Sequence, residues 1–225
     1  MPGDATGLVI FDCDGVLVDS EPISFAVLRD MLAGVGVSLS ESRAYRQFLG
    51  KSMASITRMI ADEFSISLSE EHIETMRMQL FARFQAELQP IAGTVDMLSQ
   101  FSGPRCVASS SQMERIRLSL TKTGLIDFFE PAIFSASMVR RGKPEPDLFL
   151  HAAETMGFAP EHCVVIEDSP AGIQAAHSAG MRVFAFTGGS HAAVSNLREI
   201  VSGLKPTLIF DDMKDLPELL KSVGD

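Results

Sequence analysis

The chain is poor in cations, in cysteine and in long apolar runs. Its 19 lysines and arginines face 29 aspartates and glutamates over 225 residues, a net charge of −10. That deficit removes the basic footprint a nucleic-acid binder needs. It equally disfavours an anionic membrane surface. It leaves room for an anionic small molecule, because a metal and a few local cations set the field inside a site. The three cysteines, Cys13, Cys106 and Cys163, lie in or beside apolar strand-like runs without zinc-ligand spacing. They read as small buried hydrophobes of a reducing compartment. No basic region precedes the first apolar run, and Asp12 and Asp14 interrupt it. Neither a signal peptide nor a membrane helix is therefore expected, and the expected location is cytoplasmic. The five histidines show no metal-ligand spacing, and Thr187-Gly-Gly-Ser190 lacks the Gly-Lys-Ser/Thr of a phosphate-cradling loop.

What is present begins at Leu8-Val-Ile-Phe-Asp-Cys-Asp-Gly15. An apolar strand runs directly into two acids. Charge at the end of a buried strand is costly unless something pairs with it. Residues i and i+2 of an extended segment point the same way, so Asp12 and Asp14 converge. Such a pair suits a metal, a nucleophile or an acid/base couple. Three later segments supply what they would meet. Cys106-Val-Ala-Ser-Ser-Ser111 is a short strand ending in hydroxyls, Arg141-Gly-Lys-Pro-Glu-Pro-Asp147 places Lys143 before a helix, and Cys163-Val-Val-Ile-Glu-Asp168 is a second strand ending in acids.

Helical periodicity covers 22–34, 41–49, 53–64 and 69–88, with Ser69 as an N-cap. From residue 91 onward short strands (105–108, 132–134, 163–166, 183–186, 207–210) alternate with helices (93–101, 112–123, 146–156, 170–179, 216–222). Ser111 and Glu114 are expected to form a capping box. Such alternation predicts an α/β fold, a doubly wound parallel sheet covered on both faces. A helical segment is inserted after the first strand. The predicted division is 1–20 with 90–225 as core and 21–89 as insert, the linkers lying near 16–20 and 89–93. Ligands of open α/β sheets sit outside the carboxyl ends of the strands, which gathers the four acids Asp12, Asp14, Glu167 and Asp168 at one edge. Mutual repulsion there raises some pKa values and calls for a divalent cation, Mg²⁺ by its preference for oxygen ligands.

These four segments, in this order, resemble the motifs of the haloacid dehalogenase (HAD) superfamily, in the branch of sugar-phosphate phosphatases and β-phosphoglucomutases. The resemblance spans essentially the whole chain and implies a Rossmann-like core under a helical cap. It implies Asp12 as nucleophile and Asp14 as acid/base, with the Asp14 backbone carbonyl on the metal. It implies Ser109 and Lys143 on the phosphate, and Glu167 and Asp168 as the acidic motif, Asp168 the direct ligand. Ser110 belongs with Ser109, while Ser111 is expected only to cap. Dividing the roles requires Asp14 to carry a proton in the first step. A dehalogenase would lack Asp14. A mutase would carry a cap arginine after Gly-x-Ser and a histidine early in the first cap helix, where this chain has Met53, after Gly50-Lys-Ser52, and Ser24. Hydrolysis of a small phosphomonoester is therefore the favoured reading. The alternatives are a β-phosphoglucomutase-like phosphomutase and a non-catalytic phospho-ligand sensor. Glu21, Lys51 and Arg77 are the expected contacts to substrate hydroxyls. The expected partner is a phosphorylated small molecule, and a monomer or small homo-oligomer is expected.

Overall fold

The computed structural model describes residues 7–48, 51 and 53–222. The chain begins with β1 (Leu8–Phe11), followed by four helices: α1 (Glu21–Gly34), α2 (Glu41–Phe48), α3 (Met53–Phe64) and α4 (Glu70–Glu87). Then come α5 (Thr94–Gln100), β2 (Arg105–Ser109), α6 (Met113–Lys122), β3 (Ile133–Ser135) and α7 (Asp147–Met156). The chain continues through β4 (Cys163–Glu167), α8 (Pro170–Ser178), β5 (Arg182–Phe186), α9 (Ala192–Ser195) and α10 (Leu197–Ser202). It closes with β6 (Leu208–Phe210) and α11 (Leu216–Ser222).

All six strands pair in parallel in the order β3-β2-β1-β4-β5-β6. This is a doubly wound α/β sheet, and its strand order reverses beside β1. β1 is buried along its whole length, as a strand covered on both faces must be. Its Phe11 is in register with Val107 of β2 and Ile166 of β4. The carboxyl ends of three neighbouring strands therefore emerge together.

The helices α1–α4 leave and rejoin the sheet through two passages that run side by side. Val18 bridges Pro90, the Asp19 amide donates to the Gln89 carbonyl at 3.0 Å, and the Ile91 amide donates to the Leu17 carbonyl at 2.9 Å. α1 packs on α4, α4 on α6 of the sheet region, and α2 on α9. Ser69 caps α4 by accepting from the His72 amide, and Met76, Leu80 and Phe84 form its buried face. The expected capping box at α6 is absent. Gln112 is the N-cap and makes no side-chain cap bond, because Ser111 and Glu114 are both engaged elsewhere. The short helices α9 and α10 have too few residues for helical periodicity to register in sequence. The three cysteines are unpaired and buried, and no described helix is long and apolar enough to cross a membrane.

Ile10, fully buried in the central strand, tests this arrangement. Ile10→Ala should lower unfolding free energy in urea by about 2–5 kcal/mol. A loss well below that range would mean that the Ile10 side chain is not close-packed against its face of the sheet.

Candidate active site

Asp12 leaves the end of β1 with its amide donating to the Ile166 carbonyl at 3.0 Å, which fixes the turn out of the sheet. Lys143 arrives from the loop before α7. Its ammonium donates to Asp12 Oδ1 at 2.6 Å and to Glu167 Oε1 at 2.7 Å. The lysine side chain is 1% exposed and lies over the Phe149 ring. Burial works to lower its pKa, but Asp12 and Glu167 overcome this and raise it, so it is a fixed cation. The other Glu167 oxygen accepts from the Ser169 amide at 2.7 Å and the Ser169 hydroxyl at 2.9 Å. Gly172 leaves the space this carboxylate fills: a Cβ there would lie 1.7 Å from Glu167 Oε1. Glu167 was expected among the metal ligands. In the structure one of its oxygens accepts from the lysine and the other from Ser169.

Beside β1, Ser109 ends β2 and its hydroxyl accepts from the Ser111 amide at 3.1 Å. Ser135 of β3 pins the same turn by donating to the Ser111 carbonyl at 2.7 Å. Ser110, between them, is half-buried. Ser111 does not cap α6 as expected; its hydroxyl donates to Asp14 Oδ2 at 2.6 Å. Asp14 Oδ1 accepts from Ser20 at 2.6 Å and from Arg115 Nη2 at 2.8 Å. Burial works to raise the Asp14 pKa, but the Arg115 guanidinium and the Ser111 and Ser20 hydroxyls hold it below the usual carboxylate value. A carboxylate-rich neighbourhood was expected to keep Asp14 protonated. The guanidinium works the other way and favours the carboxylate form of Asp14.

Arg115 was not anticipated. It sits in the first turn of α6, where a cation opposes the helix dipole and so implies a partner; that was the available signal. It also donates to Ser24 Oγ at 3.1 Å and lies over the Phe84 ring, tying α6 to α1 and α4.

Asp168 is 2% exposed, and its Oδ2 has no hydrogen-bond partner among the described residues. Burial first, then Glu167, pushes its pKa well up; burial does the same to Asp12, where Lys143 offsets only part of it. One ammonium among Asp12, Glu167 and Asp168 leaves the pocket short of positive charge. Among the described residues no group of three or more His, Cys, Asp or Glu side chains is arranged to hold a metal. Asp168, with Oδ2 unpartnered among the described residues, and Asp12, with one oxygen on Lys143, suit Mg²⁺, which keeps several waters and takes one or two carboxylates. Asp12 and Asp168 would hold it, with the Asp14 backbone carbonyl.

Glu21 opens α1 and is 8% exposed. Burial pushes its pKa up to about 8, with His191 acting to lower it and Asp14 and Asp168 to raise it. It therefore shares the electrostatics of this pocket. Arg77, in contrast, is exposed and paired with Glu74 and Glu114, so its own helix and α6 take its guanidinium. Lys51 is exposed at the rim of a separate cavity of about 100 Å³ with Tyr45, Pro170 and Ser195. Ser24 is committed to Arg115 and to the Ser20 carbonyl, and Met53 opens α3. Gly50 and Ser52 lie outside the described residues.

Asp14 carries a linkage consequence. A carboxyl held below its ordinary value of 3.8 contributes stability above that value and loses it as pH falls through the native pKa. Arg115→Met should lower the melting temperature at pH 7, with the gap to wild type closing as pH drops below about 4. A gap independent of pH would place the Arg115 contribution in packing rather than in Asp14.

Residues 9–186 match the family of haloacid dehalogenase-like hydrolases. The 6-phosphogluconate phosphatase of Escherichia coli is 33% identical over 217 residues, 96% of this chain and 95% of the relative. The hexitol phosphatase A of the same organism is 33% identical over 191 residues, 78% of this chain and 81% of the relative. A crystal structure of a haloacid dehalogenase-like protein from Agrobacterium tumefaciens superposes with a TM-score of 0.83 at 36% identity, covering 97% of this chain and 99% of the other. A family hydrolase from Deinococcus radiodurans, solved with bound phosphate and sodium, superposes with a TM-score of 0.75 at 29% identity, covering 98% of each chain. The strand-end acids, the buried lysine and these matches agree: the chain belongs to the haloacid dehalogenase-like hydrolases.

Proposed function

We propose that this protein is a Mg²⁺-dependent phosphatase of small sugar phosphates, working through a phospho-aspartate on Asp12 beneath a cap formed by α1–α4. The observation that carries this reading is Lys143, clamped between Asp12 and Glu167 at the end of the central strand. A lysine so fixed offers charge to phosphate oxygens without reorganising. The relatives are phosphatases named for 6-phosphogluconate and hexitol, which supports a polyol phosphate as substrate.

Bound Mg²⁺ would supply the positive charge that Asp12, Asp168 and the phosphate together lack. An Asp12 oxygen attacks phosphorus, and the bond from phosphorus to the sugar oxygen breaks. Lys143, the Ser109 hydroxyl and the backbone amides that follow it stabilise the phosphoryl oxygens. Asp14 gives a proton to the departing sugar oxygen, then takes one from the water that cleaves the phospho-aspartate. Because Arg115 holds Asp14 as an anion, Asp14 must leave that guanidinium to carry its proton. Glu21, buried and close in charge to the site, contacts substrate hydroxyls. Closure of the helices excludes water from the reacting phosphate.

Phosphate release from a panel of sugar and sugar-acid phosphates tests the reading. Asp12→Asn should lose about 10³-fold or more in kcat while remaining folded, any fall in melting temperature reporting the lost charge partner of Lys143; near-normal turnover would overturn the assignment. Protein stripped with EDTA should release no phosphate and recover on adding Mg²⁺. Full activity without any divalent cation would remove the metal from the mechanism. An isomerised product without phosphate release would make the protein a mutase.

A further inference from the structure

The reaction above makes no use of His191, which follows β5 in Thr187-Gly-Gly-Ser-His191. It is 1% exposed, yet among the described residues neither ring nitrogen has a hydrogen-bond partner. Its Nε2 lies 3.1 Å from Asp168 Oδ2, itself buried without a hydrogen-bond partner. Asp168 Oδ2 and the imidazole are thus both buried with nothing else among the described residues to bond them, a state that costs free energy unless they serve each other. The backbone is shaped around the pair. A Cβ at Gly15 would lie 2.0 Å from Asp168 Oδ2, and one at Gly189 would lie 2.6 Å from the His191 Cε1. Tyr45 of α2 covers the ring, with centroids 5.9 Å apart.

We propose that His191 is a positioning residue for Asp168: its Nε2–H fixes one carboxylate oxygen so that the other is presented to Mg²⁺. This rests on Asp168 being a metal ligand. Ligating carboxylates are themselves hydrogen-bonded in metal sites, and loss of such an outer partner typically weakens metal binding by about 10–100-fold. The inference therefore concerns affinity for the ion, not the chemical step.

Calorimetric titration of the metal-free protein with Mg²⁺, without substrate, reads this directly. His191→Phe keeps a ring against Tyr45 and removes the donor; its Kd for Mg²⁺ should rise about 10–100-fold. His191→Gln restores an N–H near the same reach and should recover most of that loss. A His191→Phe Kd within twofold of wild type overturns the proposal and leaves the phosphatase reading standing. Equal weakening in both variants also overturns it, because ring shape rather than the donor would then matter. Absence of Mg²⁺ binding by the wild type overturns this inference together with the metal reading. Imidazole ¹⁵N resonances of the wild type provide a check independent of any variant's folding. Added Mg²⁺ should shift the protonated Nε2 of His191, and unchanged resonances would sink the proposal.

Discussion

A lysine ammonium buried between two carboxylates is the constraint on which the site depends. Lys143 has a 1% exposed side chain. Burying one charge alone costs several kcal/mol; burying it with well-placed partners recovers the cost. The partners come from β1 and β4, adjacent in the sheet, and the lysine comes from the loop before α7. None of the three groups is tenable without the others. The strand register, with Phe11 opposite Ile166, is therefore a requirement of the electrostatics as much as of apolar packing.

Around that clamp two carboxylates of one short segment are pushed in opposite directions. Burial raises Asp12 with Lys143 only partly offsetting it, while Arg115 and two hydroxyls hold Asp14 down. Neighbouring acids with separated pKa values are how one site assigns different tasks to the same functional group. The separation here comes from a residue on α6 that also touches α1 and α4. The protonation state of Asp14 is thereby tied to where those helices lie.

Much of this was legible in the sequence, for identifiable reasons. β1 and β4 are short apolar runs ending in acids, and a solvated charge does not end a buried strand without cause. The helices with full turns and clear punctuation, such as α3 and α8, fall where periodicity and caps place them. α9 and α10 were missed because each is too short for periodicity to register. At the site, the groups that act on phosphate in the proposed reaction announce themselves by unusual placement. Those that position them do not: Ser111 looks like a helix cap, Arg115 like a surface cation and His191 like a core histidine. Their roles depend on contacts between residues as far apart as 101 positions, which no local pattern records. The pairing of Arg77 with Glu114 was hidden for the same reason, being a long-range ion pair.

The first turn of α8 carries a local sacrifice. Glycine is about 1 kcal/mol poorer than alanine inside a helix, and Gly172 holds a place where almost any side chain would strengthen the coil. A methyl group there would occupy the volume of the Glu167 carboxylate. Thermostabilising substitutions chosen by helix propensity alone would select this position and dislodge the anchor of the buried cation. The helix is kept weaker than it need be so that the strand before it can end in a charge.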